Sequence, residues 1–207
     1  MDREQINNLV SLKGKEVVEM AAGTGLLTKL LTEHAKQVQA FDISEEMLAV
    51  NQEHLEKCSV KNCKLSVAEN KSIPLPDNTA DVVIEGWSLG YMVAKSGTVW
   101  EKEIDKVLAE MERLLKPNGM ILIFGTLGTG AHKPAPPNKE LANLYEYLEN
   151  KKGFSVTPWF KTDYEFDSVD QAVELISFFW SNNFGEYIKT KQSLIVEECT
   201  AIWYKKY

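Results

Sequence analysis

The sequence predicts an α/β protein, built on a doubly wound, mostly parallel sheet with helices on both faces. Three observations carry this. Strand-like and helix-like segments alternate from 15 to 125, the rhythm a parallel sheet requires because each crossover needs a connecting element. The run Glu16–Met20 stops in Ala21-Ala22-Gly23-Thr24-Gly25 and passes into a segment with apolar residues at Leu26, Leu27, Leu30 and Leu31, a helical spacing. Asp42 then closes the next strand-like run, about 20 positions beyond the glycine turn, where a β-α-β unit places an acid on a ribose hydroxyl pair.

In chain order, strands are expected at Glu16–Met20, 38–41, 64–67, 81–84 and 120–124, and helices at 26–37, Glu45–Lys57 and 100–115. Ser44 is a good N-cap, and Glu45 and Glu46 stand in the first turn, where the helix dipole favours them. Residues 125–138, with Gly128, Gly130, Pro134, Pro136 and Pro137, read as a long surface loop. A helix is expected at 139–151 and a strand at 159–166. Ser168-Val169-Asp170-Gln171 spells a capping box, opening a helix over 168–180 that is apolar round more than one face. Residues 193–207 alternate enough to form a closing strand. The chain reads as one domain over 1–207, with the ligand-binding core at 15–125 and 126–207 beside it.

Hydrophobic residues make up 44% of the 207 and charged residues 26%, ordinary for a soluble globular chain. The net charge of −7 argues against a sequence-independent grip on a phosphate backbone. Cys58, Cys63 and Cys199 are too few and badly spaced for a zinc site or a disulfide framework, so free thiols and no metal are expected. The opening Met-Asp-Arg-Glu-Gln has no apolar signal core, and no run approaches a membrane span. The expectation is a cytoplasmic chain with neither a nucleic-acid nor a membrane partner.

The spelling of the turn discriminates between nucleoside ligands. A dinucleotide GxGxxG needs a third glycine for close helix packing, and Gly23-Thr24-Gly25-Leu26-Leu27-Thr28 has a threonine there. Glu19 followed by Ala21-Ala22-Gly23-Thr24-Gly25 instead resembles motif I of the class I S-adenosylmethionine-dependent methyltransferases, of the type 11 kind. Ala21 replaces the first glycine, which asks that the turn there not need a positive φ. Further matches follow in the family's order: Phe41-Asp42-Ile43-Ser44-Glu45-Glu46-Met47, then Val67-Ala68-Glu69-Asn70, Ala80-Asp81-Val82-Val83-Ile84-Glu85-Gly86-Trp87, and Arg113-Leu114-Leu115-Lys116-Pro117-Asn118-Gly119.

The resemblance implies a Rossmann-like methyltransferase fold, a seven-stranded sheet with an antiparallel last strand and an aromatic helix inserted between the last two strands. It implies S-adenosylmethionine as cofactor, held by Glu19, Ala21, Ala22, Gly23, Gly25, Asp42, Ile43, Met47, Ala68, Glu69, Asn70, Glu85 and Gly86. It makes 126–207 the acceptor side, with Trp87, Tyr91, Phe178, Phe179 and Trp180 framing a small-molecule acceptor and Tyr91 and His132 as catalytic candidates. Rim packing competes for Trp87 and Tyr91, core packing for the aromatic cluster, and a surface position for His132. His34, His54, Glu197 and Glu198 read as solvated, although the two glutamates suit an amine acceptor. Two alternatives stand beside methyl transfer: an NAD-dependent oxidoreductase and a nucleoside-binding module without catalysis.

Overall fold

The structure is a computed structural model that describes residues 4–207. In chain order its elements are α1 (Glu4–Leu9), β1 (Glu16–Met20), α2 (Leu26–Thr32), β2 (Gln37–Asp42), α3 (Glu45–Lys57), β3 (Cys63–Val67), β4 (Ala80–Gly86), α4 (Leu89–Ser96), α5 (Trp100–Leu114), β5 (Leu115–Thr129), α6 (Lys139–Asn150), β6 (Ser155–Val156), β7 (Phe160–Lys161), β8 (Tyr164–Glu165), α7 (Val169–Phe179), α8 (Asn182–Lys191), β9 (Ile195–Val196) and β10 (Glu198–Lys206). The main sheet runs β3-β2-β1-β4-β5-β10-β6. The first five strands are parallel, while β10 runs antiparallel to β6 and to β7. The edge position beside β10 is shared by the short β6 and β7, so the sheet has seven positions.

The chain divides into two compact units. One comprises 4–125, 138–158 and 201–207, and the other 126–137 and 159–200. In the first, β1 and β4 are neighbours, and their connections leave in opposite directions to β2 and β5. That reversal opens a crevice at the carboxyl ends of the strands. Val82, Val83 and Ile84 of β4 are all buried, the signature of a parallel strand covered on both faces. Helix α5 buries Ile104, Val107, Leu108, Met111 and Leu114, one stripe at helical spacing. Helix α3 starts where Ser44 Oγ accepts from the Met47 N–H at 3.2 Å.

In the second unit α7 and α8 form a helical hairpin. Its core is Ala172, Ile176, Ile188 and Val196, packed by Tyr164, Phe166, Val173 and Phe184. A Cβ on Gly185 would fall 1.9 Å from Ser177 Oγ, so the missing side chain lets the helices close. Ser168 Oγ caps α7 from the Gln171 N–H. Gln171 Oε1, however, accepts from the Asp167 N–H, one residue earlier than a reciprocal capping box requires.

Several expectations are corrected. The helix expected over 26–37 ends at Thr32, because Lys36 and Gln37 already turn back to the Lys15 carbonyl. The loop expected over 125–138 is strand as far as Thr129, so β5 runs on past Phe124, where its parallel pairing with β4 ends. The strand over 159–166 is broken into β7 and β8, which pair with different partners, β10 and β9. The closing strand is likewise two strands. Helices α1, α4 and α8 were not expected. No helix among the described residues is long and apolar enough to cross a membrane.

Candidate functional site

The β1–α2 turn is built from unusual backbone. Ala21 has φ +54, Gly23 φ +53 and Gly25 φ +96. The expectation that Ala21 would avoid a positive φ is therefore wrong: three alternate residues of one short turn are left-handed, and an alanine bears the steric cost that glycine escapes. At Gly25 glycine is needed twice over, since a Cβ there would also fall 2.3 Å from Asn51 Oδ1. At Gly23 nothing lies within 4 Å of where a Cβ would stand, so the backbone borders open space.

Asp42 ends β2 and fastens this turn. Its Oδ2 accepts from the Gly23 N–H at 2.8 Å and its Oδ1 from the Ser44 N–H at 2.9 Å. Each oxygen retains acceptor capacity for a ligand hydroxyl. Ile43, next in the chain, is 68% exposed, and Val67, the cross-strand partner of Asp42, is exposed too. Met47 is half-buried in the first turn of α3. The Ala68 N–H bonds the Asp42 carbonyl at 3.0 Å, Glu69 is exposed, and Asn70 Nδ2 reaches Ser88 Oγ at 3.3 Å. Open backbone, a carboxylate with spare acceptor capacity and two exposed aliphatic side chains fit an adenine nucleoside.

Glu19 lies behind the turn, buried in β1. Burial pushes its carboxyl up to about 8, against the lowering effect of its hydrogen bonds with Thr28. Thr28 Oγ1 in turn accepts from Asn51 Nδ2 at 2.9 Å. Glu19, Thr28 and Asn51 thus form a buried relay beside Gly25, with Glu19 Oε2 and Asn51 Oδ1 unpartnered. Thr28 and Asn51 were missed by the sequence reading. The available signal was a polar residue on each buried stripe: Thr28 with Leu31 and Thr32, Asn51 between Leu48 and Leu55. His54, expected to be solvated, is exposed but has Nδ1 3.1 Å from the Thr24 carbonyl. His34 is half-buried rather than solvated.

At the end of β4, Glu85 is fully buried, and burial pushes its carboxyl up to about 7 despite bonds from Ser88 and Leu89. Its Oε1 accepts from the Ser88 and Leu89 N–H groups at 2.6 and 3.2 Å, so it caps α4, whose own Ser88 makes no side-chain cap. Gly86 leaves room for Leu27, whose Cδ1 is 2.6 Å from where a Cβ would stand. Trp87 is left-handed at φ +58, packs on Phe124 with ring centroids 5.4 Å apart, and buries Nε1 without a partner. Tyr91, on α4, is 65% exposed.

The remaining expected residues belong to the second unit. Phe178 and Phe179 meet edge-on at 4.9 Å and Phe179 and Trp180 at 5.9 Å, all of them exposed. Core packing therefore does not account for this cluster. The His132 side chain is 86% exposed, with Nδ1 against Glu197 Oε2. Glu198, expected to be solvated, is buried, because β10 runs inside the sheet rather than along its edge.

Known proteins agree with this geometry. A family model described as a methyltransferase domain matches residues 18–123, more than half of the chain. Phosphoethanolamine N-methyltransferase 1 of Triticum aestivum is 28% identical over 191 residues, covering 89% of this chain and 34% of that protein. A ubiquinone/menaquinone biosynthesis C-methyltransferase of Burkholderia multivorans is 33% identical over 149 residues, 70% of this chain and 52% of that one. The chain thus spans between a third and about half the length of these curated relatives. The crystal structure of a SAM-dependent methyltransferase from Aquifex aeolicus superposes with a TM-score of 0.60 at 20% identity, over 98% of this chain and 88% of that one. Turn, ribose-type acid, strand order and family match converge: the chain belongs to the class I S-adenosylmethionine-dependent methyltransferase family.

Proposed function

We propose that this chain transfers a methyl group from S-adenosylmethionine to a small-molecule acceptor. The observation that carries the reading is the fastening of the left-handed β1–α2 turn to Asp42 through the Gly23 N–H. When bound, the cofactor supplies an electrophilic methyl group for in-line displacement. Asp42 would hold the ribose hydroxyls with the acceptor capacity its backbone bonds leave free. Ile43 and Val67 would flank the base, and Met47, Ala68, Glu69 and Asn70 would border it. Glu19 acts from behind, holding α2 through Thr28 and so holding the turn. Ala22, Gly86 and Glu85 shape the rim rather than carry charge to it.

The chain's part in the chemistry is alignment, which accelerates displacement without a base when the nucleophile is already unprotonated. Tyr91, exposed on α4 just past β4, is the side chain we assign to positioning the acceptor, with Trp87, held by Phe124, as a second candidate. Phe178, Phe179 and Trp180 give the second unit an exposed apolar cluster of its own. One relative is named for phosphoethanolamine and the other for ubiquinone/menaquinone biosynthesis, which supports a small acceptor and leaves the methylated atom open. A dinucleotide is disfavoured because the third-glycine position is Thr28, whose hydroxyl is built into the buried relay.

Thermal titration tests the cofactor: S-adenosylhomocysteine should raise the melting temperature by mass action and NAD should not. A shift with NAD alone would reject the reading. Incubating the protein with methyl-labelled cofactor and a metabolite pool should then place label on a small molecule; binding without any transfer would reduce the chain to a nucleoside-binding module.

A further inference from the structure

The second unit holds a buried polar chain that the methyl-transfer reading leaves unused. Glu198 is 1% exposed. Its Oε2 accepts from the Thr129 hydroxyl at 2.5 Å, and Thr129 Oγ1 accepts from the Trp180 indole N–H at 3.1 Å. The direction of both bonds is fixed, because an indole nitrogen only donates and a hydroxyl has a single proton. Oε2 thus has a donor, while Oε1 is buried without a hydrogen-bond partner. A buried acceptor lacking a donor is costly, and most costly when charged.

The surroundings say which donor would suit it. The Glu198 N–H bonds Asp163 Oδ1 at 3.0 Å, and neighbouring Glu197 engages Lys161 at 2.7 Å and His132. Three carboxylates therefore gather around one lysine and one histidine, an excess of negative charge that disfavours an anion. Burial raises the Glu198 carboxyl above its ordinary range, the Thr126 and Thr129 hydroxyls opposing this. Trp180 meets Tyr164 edge-on with centroids 5.6 Å apart and is itself 42% exposed. A buried carboxyl that one hydroxyl links to a half-exposed indole suits a cation, which both the carboxylate and an aromatic face attract.

We propose that Glu198 Oε1, beside the Trp180 indole, forms a recognition site within this unit for a small organic ammonium ion. Entry requires Trp180, at the C-terminal end of α7, to turn away from Thr129 and expose the carboxyl.

The full chain should bind phenethylammonium about tenfold more tightly than phenethyl alcohol, the scale of one charge-assisted contact, and phenylacetate more weakly still. Glu198→Gln should abolish this preference while calorimetry with S-adenosylhomocysteine is unchanged. Because that variant risks misfolding, the wild-type protein supplies a second readout. The Trp180 indole N–H resonance, identified by its loss in Trp180→Phe, should move on adding phenethylammonium and stay fixed with the alcohol. Equal affinity for alcohol and ammonium, an unmoved Trp180 resonance, or an undiminished preference in Glu198→Gln would each overturn the site.

Discussion

Asn51 donates from Nδ2 to the Thr28 hydroxyl at 2.9 Å, and both residues are completely buried. The bond joins α3 to α2 beside Gly25 and places Asn51 Oδ1 where a Cβ on Gly25 would fall. The turn is thus shaped by a side chain 26 positions onward as well as by its own glycines.

Gly25→Ala should lose stability from two sources, roughly 1–2 kcal/mol for a left-handed alanine and about 1–3 kcal/mol for overpacking against Asn51. Adding Asn51→Ala should recover only the second part. Urea melts of the two single variants and the double variant would measure the coupling, and strictly additive losses would mean that Asn51 is not the wall of the turn.

Asp42→Ala should weaken S-adenosylhomocysteine binding by roughly 1.5–3 kcal/mol, the scale of hydrogen bonds to a charged group. Folding should also suffer, by about 1 kcal/mol for each backbone donor left without its acceptor, since Gly23 and Ser44 both bond this carboxylate. Calorimetry at matched folded fraction is the check; unchanged affinity would place the ribose elsewhere.

Glu19 makes stability depend on pH. Its carboxyl titrates at about 8 in the folded chain against an ordinary 4.5, so between those values the folded state keeps a proton the unfolded state has released. Its contribution is full below pH 4.5, declines as pH rises and is lost above about 8, with a limiting slope of about 1.4 kcal/mol per pH unit. Glu19→Gln should flatten this decline between pH 5 and 8, leaving the smaller contribution of Glu85, which titrates at about 7. Identical slopes in wild type and variant would show that Glu19 is not held neutral by burial.

Tyr91→Ala should leave stability within about 0.5 kcal/mol, as an exposed substitution does, and leave cofactor affinity unchanged. Once an acceptor is known, kcat should fall by about tenfold or more through lost alignment. Normal turnover would return Tyr91 to the rim as an ordinary surface residue.

The parts of this molecule legible in the sequence are those whose signals are local. The bounds of β1 and α3 are those expected, because a hydrophobic run and a serine cap are written within a few residues of the element they define. Helix α4 escaped because its cap comes from Glu85, a strand residue. Helix α8 escaped because Gly185 reads as a breaker, whereas its role is contact with Ser177 of α7. Burial of Glu198 had no local signature, since two successive glutamates do not say which face of a strand meets the core. The glycine turn and the acid that fastens it were legible, yet the conformation of Ala21 was not, because left-handed alanine is rare enough that sequence argues against it.

That alanine has a consequence for how affinity is distributed. A glycine at position 21 would relax the steric cost but give the unfolded chain more freedom, roughly 0.5–1 kcal/mol of entropy, which offsets only part of the gain. The two choices also differ in what a ligand encounters. With alanine the turn is confined to one narrow well before anything binds, and its ordering is completed during folding. The nucleoside then meets a turn with fewer alternative conformations, so less ordering is left to oppose its binding, while the strain at φ +54 stays a cost to folding alone.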